Sequence, residues 1–219
     1  MDNFVFVSVA FGPRYVAQID RLENSILDIY PEANILFWRD ELPPGSQPFL
    51  ESFYGFKVHA IQQAFDQGYT RVLWLDPAVI LKQKIDHLYG KKMAAVMDEN
   101  LLASFISDDY IGHNKETREQ IKRDGLHLVG GSLYYFDFYY DDAIEIFLNW
   151  KSDEMLGYFG NQEDEAAGKQ QGHCADESCM AFNMYQQGIK PMSPETLLYC
   201  SNPDVMDSRE WVFVKKHFK

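Results

Sequence analysis

The sequence predicts a single α/β domain with a mixed, mostly parallel central sheet flanked by helices. Three observations carry this. The run Phe4–Ala10 (FVFVSVA) is apolar on both faces, as a strand covered on both sides must be. A helical pattern and a second apolar run, Ala33–Trp38, follow it at once, giving strand–helix–strand. A third apolar run, Arg71–Asp76 (RVLWLD), ends on a carboxylate and a proline.

The first run stops at the breaker Phe11-Gly12-Pro13. Tyr15, Val16, Ile19, Leu22, Ile26 and Ile29 then recur at helical spacing up to Tyr30-Pro31. Leu42–Ser46 reads as loop, and Tyr54–Gln67 as a helix ended by Gly68. Met93–Met97 is a fourth strand, Lys115–Arg123 a charged helix, and Leu126–Asp137 a strand broken by Gly130-Gly131. Asp142–Trp150 is a helix with Ile144, Phe147 and Leu148 on one side, and Gly157–Gly172 a polar, glycine-rich loop. Asp176–Gln187 is a helix ended by Gly188, and the tail is short strands and turns. No repeat or linker divides the chain, so one domain is expected, with a nucleotide-binding half of about 1–98 and a second half of about 99–219.

Composition narrows the function. The chain has 219 residues, and 20 Lys and Arg against 33 Asp and Glu give a formal charge of −13. Such a surface repels a nucleic acid, so none is expected as a partner. No run approaches the length of a membrane span, and Met1-Asp2-Asn3 lacks a basic leader, so a cytoplasmic location is expected. The three cysteines, Cys174, Cys179 and Cys200, are too few for a disulfide framework and fit a reducing compartment. The abrupt end at Phe218-Lys219 suits a piece of a longer, multidomain chain.

The chemistry-bearing positions fall at strand ends. In open α/β sheets ligands bind off the carboxyl ends of the strands, where Asp76 stands, its ladder stopped by Pro77. Such a carboxylate holds a divalent ion that bridges phosphates, or else begins a turn. Gly130-Gly131-Ser132 marks a bulge or the close approach of a ligand. Asp176 and Glu177 open a helix behind the glycine-rich loop. They serve as cap and dipole partner, or as carboxylates beside a sugar. Lys215-Lys216-His217 is a basic cluster that meets a diphosphate or, through His217, a metal, or is a solvated tail. Tyr15 stacks on a base or packs in the core. Lys57 reaches a phosphate or sugar hydroxyl, or decorates the surface.

The order of five segments resembles the nucleotide-diphospho-sugar glycosyltransferases of the GT-A fold, especially small viral or bacterial ones akin to families 8 and 34. The segments are FVFVSVAFG, YGFKVHAIQQAF, VLWLDPAVIL, LVGGSLYYFD and CADESCMAFNMY. The resemblance spans Phe4 to about Met192. It implies transfer of a hexose from a nucleoside-diphosphate sugar, UDP-hexose foremost, to a glycan hydroxyl. It also implies roles. Ala10, Phe11 and Tyr15 would hold the nucleoside, and Asp76 and His217 would bind Mn2+ or Mg2+. Lys57 and Lys216 would touch the donor, Gly131 and Ser132 would pack on its sugar, and Asp176 and Glu177 would assist transfer. One departure stands out: the second acid of the family's DxD is Ala78 here. Three outcomes remain open, namely a weak manganese site, a metal-independent enzyme using Lys216 and Lys57, or a donor-binding domain without turnover. Weak metal use is expected. A dinucleotide-dependent dehydrogenase is excluded, because Ala10–Tyr15 lacks the G-x-G-x-x-G fingerprint.

Overall fold

The computed structural model describes residues 3–161, 175–201 and 211–216. Among these, β1 (Phe4–Ala10), β2 (Asn34–Arg39), β3 (Arg71–Leu75), β6 (His127–Asp137) and β5 (Met93–Leu101) form one sheet in the order β2-β1-β3-β6-β5. The pairs β1·β2 and β1·β3 are parallel, and β6 is antiparallel to both β3 and β5. Strand β5 therefore runs with β1, β2 and β3, and β6 alone is reversed among the five. The expected mixed, mostly parallel sheet is present.

Alternation along the central strands divides the core into two layers. Val5, Val7, Val9, Val72 and Trp74 pack on one face, against helices α2 (Phe56–Asp66), α5 (Asp141–Met155) and α6 (Ala175–Gln186). Phe4, Phe6, Leu73 and Leu75 pack on the other, against Leu22 and Ile26 of α1 (Gly12–Ile29). This is why β1 reads as continuously apolar: all seven of its residues are buried.

Helix α1 begins directly at the predicted breaker. Gly12 takes a left-handed φ of +78°, its N–H donates to Asp40 Oδ1 at 2.6 Å, and Pro13 supplies a helical φ at the first turn. The predicted charged helix is shorter than expected, α4 (Arg118–Arg123), and follows the short α3 (Asp108–His113). Lys115 between them has a φ of +59°, which no helix carries.

Two features of the second half position the site. The Gly130-Gly131 break is a register shift: Ala95 faces Tyr134, whereas Val96 faces Gly130, so β6 bulges at Gly131–Leu133. A second sheet, in the order β4-β8-β7, is built from β4 (Val79–Leu81), β8 (Phe213–Lys215) and β7 (Tyr199–Cys200). Strand β4 starts three residues after Asp76. Its antiparallel register sets Val79 opposite Lys215, which brings the basic tail to the end of β3.

Candidate functional site

A cavity of about 520 Å³ opens at the carboxyl ends of β1 and β3. Its walls come from Val9 and Phe11 at the end of β1, Tyr15 of α1, Phe49 and Tyr54 of the loop before α2, Phe56 and Lys57 of α2, and Trp74 of β3. The segment Asp76-Pro77-Ala78 and Lys215 complete it. One side is aromatic. Phe49 meets Tyr54 edge-on at 5.1 Å, and Phe56 lies 5.7 Å from Phe11 and 6.2 Å from Trp74. Asp76 and Lys215 bring a carboxylate and an ammonium, 3.5 Å apart, to the same cavity.

The cavity's inner wall rests on a buried polar cluster. Positions 57, 60, 61 and 64 share one helical face, and all four are buried. Lys57 thus occupies a place that an apolar residue would ordinarily fill. Its ammonium donates to Asp176 Oδ2 at 2.8 Å and to the Gly131 carbonyl at 3.1 Å, and it lies over the rings of Tyr54, Tyr134 and Trp74. Tyr134 donates its hydroxyl to the same Asp176 oxygen at 3.1 Å, and Trp150 Nε1–H donates to the Asp176 carbonyl at 3.0 Å. Burial works against the charge on Lys57, but Asp176, Asp76 and Glu177 outweigh it and hold the ammonium above its ordinary pKa. Burial raises the Asp176 carboxyl, with Lys57 pulling it back. Glu177 is pushed up to about 7, first by burial and then by Asp176. Its Oε1 accepts the Gly131 N–H at 2.7 Å.

Gly131 is the point where these groups converge. A Cβ there would lie 2.6 Å from Lys57 Nζ and 2.9 Å from Glu177 Oε1. The missing side chain is what lets a lysine and a glutamate close on the same peptide. The next residue, Ser132, accepts from Lys215 Nζ at 2.5 Å through its hydroxyl, and its carbonyl accepts the Asp76 N–H at 2.9 Å. Lys215 Nζ stands 3.5 Å from Asp76 Oδ2.

Several residues singled out in the sequence therefore meet here: Phe11, Tyr15, Lys57 and Asp76 line the cavity, and Gly131 and Ser132 support it. Others are placed differently. Ala10 is buried as the last residue of β1, between Val9 and Phe11, which do line the cavity. Asp176 and Glu177 are not among the lining residues. Asp176, 1% exposed, stands in the first turn of its helix and binds Lys57 and Tyr134. Lys216 is exposed and anchors by backbone, its N–H to the Ala78 carbonyl at 2.8 Å and its carbonyl to Arg21. The tail cation that lines the cavity is its neighbour Lys215, the last residue of β8. His217, and the part of the glycine-rich loop from 162 to 172, lie outside the described residues.

Sequence reasoning missed Phe49, Tyr54, Phe56 and Trp74 as wall residues. For the first three the signal was the aromatic density of Phe49–Phe56, diluted in a chain with 16 Phe and 13 Tyr. Hard divalent cations take six or more oxygens. Among the described residues Asp76 is the lone acid lining the cavity, it faces an ammonium, and Ala78 offers no side-chain oxygen. Among the described residues, no three His, Cys, Asp or Glu side chains group to hold a metal ion. The described donor set does not fit Mn2+ or Mg2+.

No protein-family model matches the chain, and no curated protein matches it in sequence. Among solved structures, it is similar to a glycosyltransferase involved in the glycosylation of the major capsid of PBCV-1. The two share 13% identity over 97% of this chain and 91% of that one, with a TM-score of 0.51. The galactosyltransferase LgtC, solved with donor and acceptor sugar analogs, is 11% identical over 97% of this chain and 86% of that one, at a TM-score of 0.48. The likeness to the first is one of fold, and the chain has the GT-A-like architecture that the order of its sequence segments implied. No helix among the described residues is long and apolar enough to cross a membrane.

Proposed function

We propose that this chain is a glycosyltransferase that moves a hexose from a nucleoside-diphosphate sugar, UDP-hexose foremost, to a hydroxyl of a glycan acceptor. What supports the reading above all is the cavity itself. In a GT-A-like fold, it opens where ligands of α/β sheets bind, and its lining holds both aromatic rings for a base and an ammonium for a diphosphate. The chemical difficulty of transfer is the charge that builds on the departing diphosphate. An ammonium already in place there stabilises the transition state more than the ground state and reorganises little. Lys215 supplies that charge at the cavity. Lys57 holds the inner wall, and Asp176 holds Lys57. In this reading Asp176 is a positioning residue, and Glu177 fixes the Gly131 peptide.

Turnover of a panel of nucleoside-diphosphate sugars tests the proposal, with the chain incubated with and without glycan acceptors. Release of nucleoside diphosphate together with a glycosylated acceptor is the expected result. The second reading is a donor-binding domain without catalysis. Ala78 favours it, since it removes the second acid of the resemblance. Binding of a donor with no release across every acceptor would establish that reading instead. A panel in which no nucleotide sugar binds would end both.

A further inference from the structure

We infer that the Lys215 ammonium does the work of a divalent ion at the donor diphosphate, so that donor binding proceeds without metal. This rests on the donor-binding reading above and goes beyond it. The substitution of one cation for the other is visible in two coupled features. At position 78, where the resemblance calls for a second metal-binding acid, a buried alanine methyl stands instead. Directly across the β4·β8 ladder, where Val79 pairs with Lys215, a cation enters the same cavity.

The geometry suits a built-in charge. Lys215 and Asp76 are each 26% exposed in their side chains, so both are partly desolvated yet open to the cavity. The ammonium has three N–H groups. One is taken by Ser132 Oγ at 2.5 Å, and Asp76 Oδ2, at 3.5 Å, attracts the cation from beyond close hydrogen-bond length. Among the described residues, no other hydrogen bond holds the ammonium, so N–H groups remain for a ligand's oxygens. Ser132 is itself fixed by the bulge of β6, and the Lys216 N–H to the Ala78 carbonyl locks the end of β8, so the lysine stem starts from rigid backbone. A divalent ion at Asp76 would face this ammonium as a like charge and would find no second carboxylate among the described lining residues. The fixed cation needs neither.

Titration calorimetry on the intact chain tests this with UDP and GDP, and with uridine and guanosine as probes of the base end alone. In EDTA the diphosphates should bind, and added Mn2+ should change the affinity by less than about twofold. Lys215→Met should weaken diphosphate binding about ten- to hundredfold, the range of a lost charged hydrogen bond. It should leave nucleoside affinity unchanged, which also reports that the variant is folded. Lys215→Arg should recover most of the loss. Diphosphate binding that tightens tenfold or more with Mn2+ overturns the inference while leaving the donor reading intact, and so does a Lys215→Met variant that binds UDP as the wild type does. If neither nucleosides nor diphosphates bind under any condition, the donor reading falls and takes the inference with it.

Discussion

Replacing Lys57 by methionine tests the buried cluster on which the cavity rests. Methionine keeps most of the stem's volume and removes the charge. The ion pair with Asp176 spans 2.8 Å, with the two side chains 5% and 2% exposed, so water cannot compensate for its loss. The variant strands Asp176 in the core with, among the described residues, only the Tyr134 hydroxyl on its carboxylate, and frees the Gly131 carbonyl of one donor. Breaking a buried pair from one side costs about 3–5 kcal/mol. In a chain of this size, each kcal/mol lowers the unfolding midpoint by about 2–4 °C, so a drop of about 6–20 °C is expected. The pH dependence has a definite sign. With no cation beside it, the folded-state pKa of Asp176 lies above its unfolded value, so the variant regains stability as pH falls and the carboxyl takes up a proton. Adding Asp176→Asn should restore more than half of the loss. Thermal and urea unfolding at pH 8 and pH 5 measure all three. The reasoning is refuted if Lys57→Met costs under about 1 kcal/mol, if its cost is the same at both pH values, or if the double variant is no more stable than the single one.

Three further outcomes follow from the same cluster and its surroundings. Gly131→Ala places a methyl 2.6 Å from Lys57 Nζ and 2.9 Å from Glu177 Oε1, so it should destabilise by about 1–3 kcal/mol, read by urea unfolding. A neutral result would mean that the ion pair shifts freely. Glu177 titrates near 7, raised by burial and by Asp176, and Asp153 near 6, raised by burial against its bonds from Tyr110 and Asn183. Both folded pKa values lie above the unfolded ones, so their contribution is full at about pH 4 and is lost as pH rises through 6 and 7. The slope is up to about 1.4 kcal/mol per pH unit per proton, and Glu177→Gln should flatten the upper part of the curve. At the aromatic side, Tyr54→Ala should weaken nucleoside binding by about 1–3 kcal/mol if that ring stacks on the base, measured by calorimetry with uridine.

How far the sequence reaches can be read residue by residue. Strand β1 matches its predicted limits, and β2 and β3 match theirs to within a residue, because a strand buried on both faces must be apolar throughout and that signal is local. Asp76 was placeable for the same reason: the strand it ends is unambiguous, and Pro77 stops the ladder. The Gly130-Gly131 break announced a bulge, and a bulge is there. The long-range partners were not legible. Nothing near Lys57 in sequence says that Asp176, 119 residues on, neutralises it. A buried lysine and a solvated one look alike until the helix's inner face is known. The assignment of the tail cation to Lys216 rather than Lys215 turned on a single residue of register in a three-residue strand, set by pairing with β4 and by no pattern of its own. The role of Gly131, admitting Lys57 and Glu177 to one peptide, exists only once β6, α2 and α6 have packed. Hydrophobic alternation is written along the chain, and it determined the layers. Charge pairing across more than a hundred residues depends on which faces meet, and only the tertiary structure decided that.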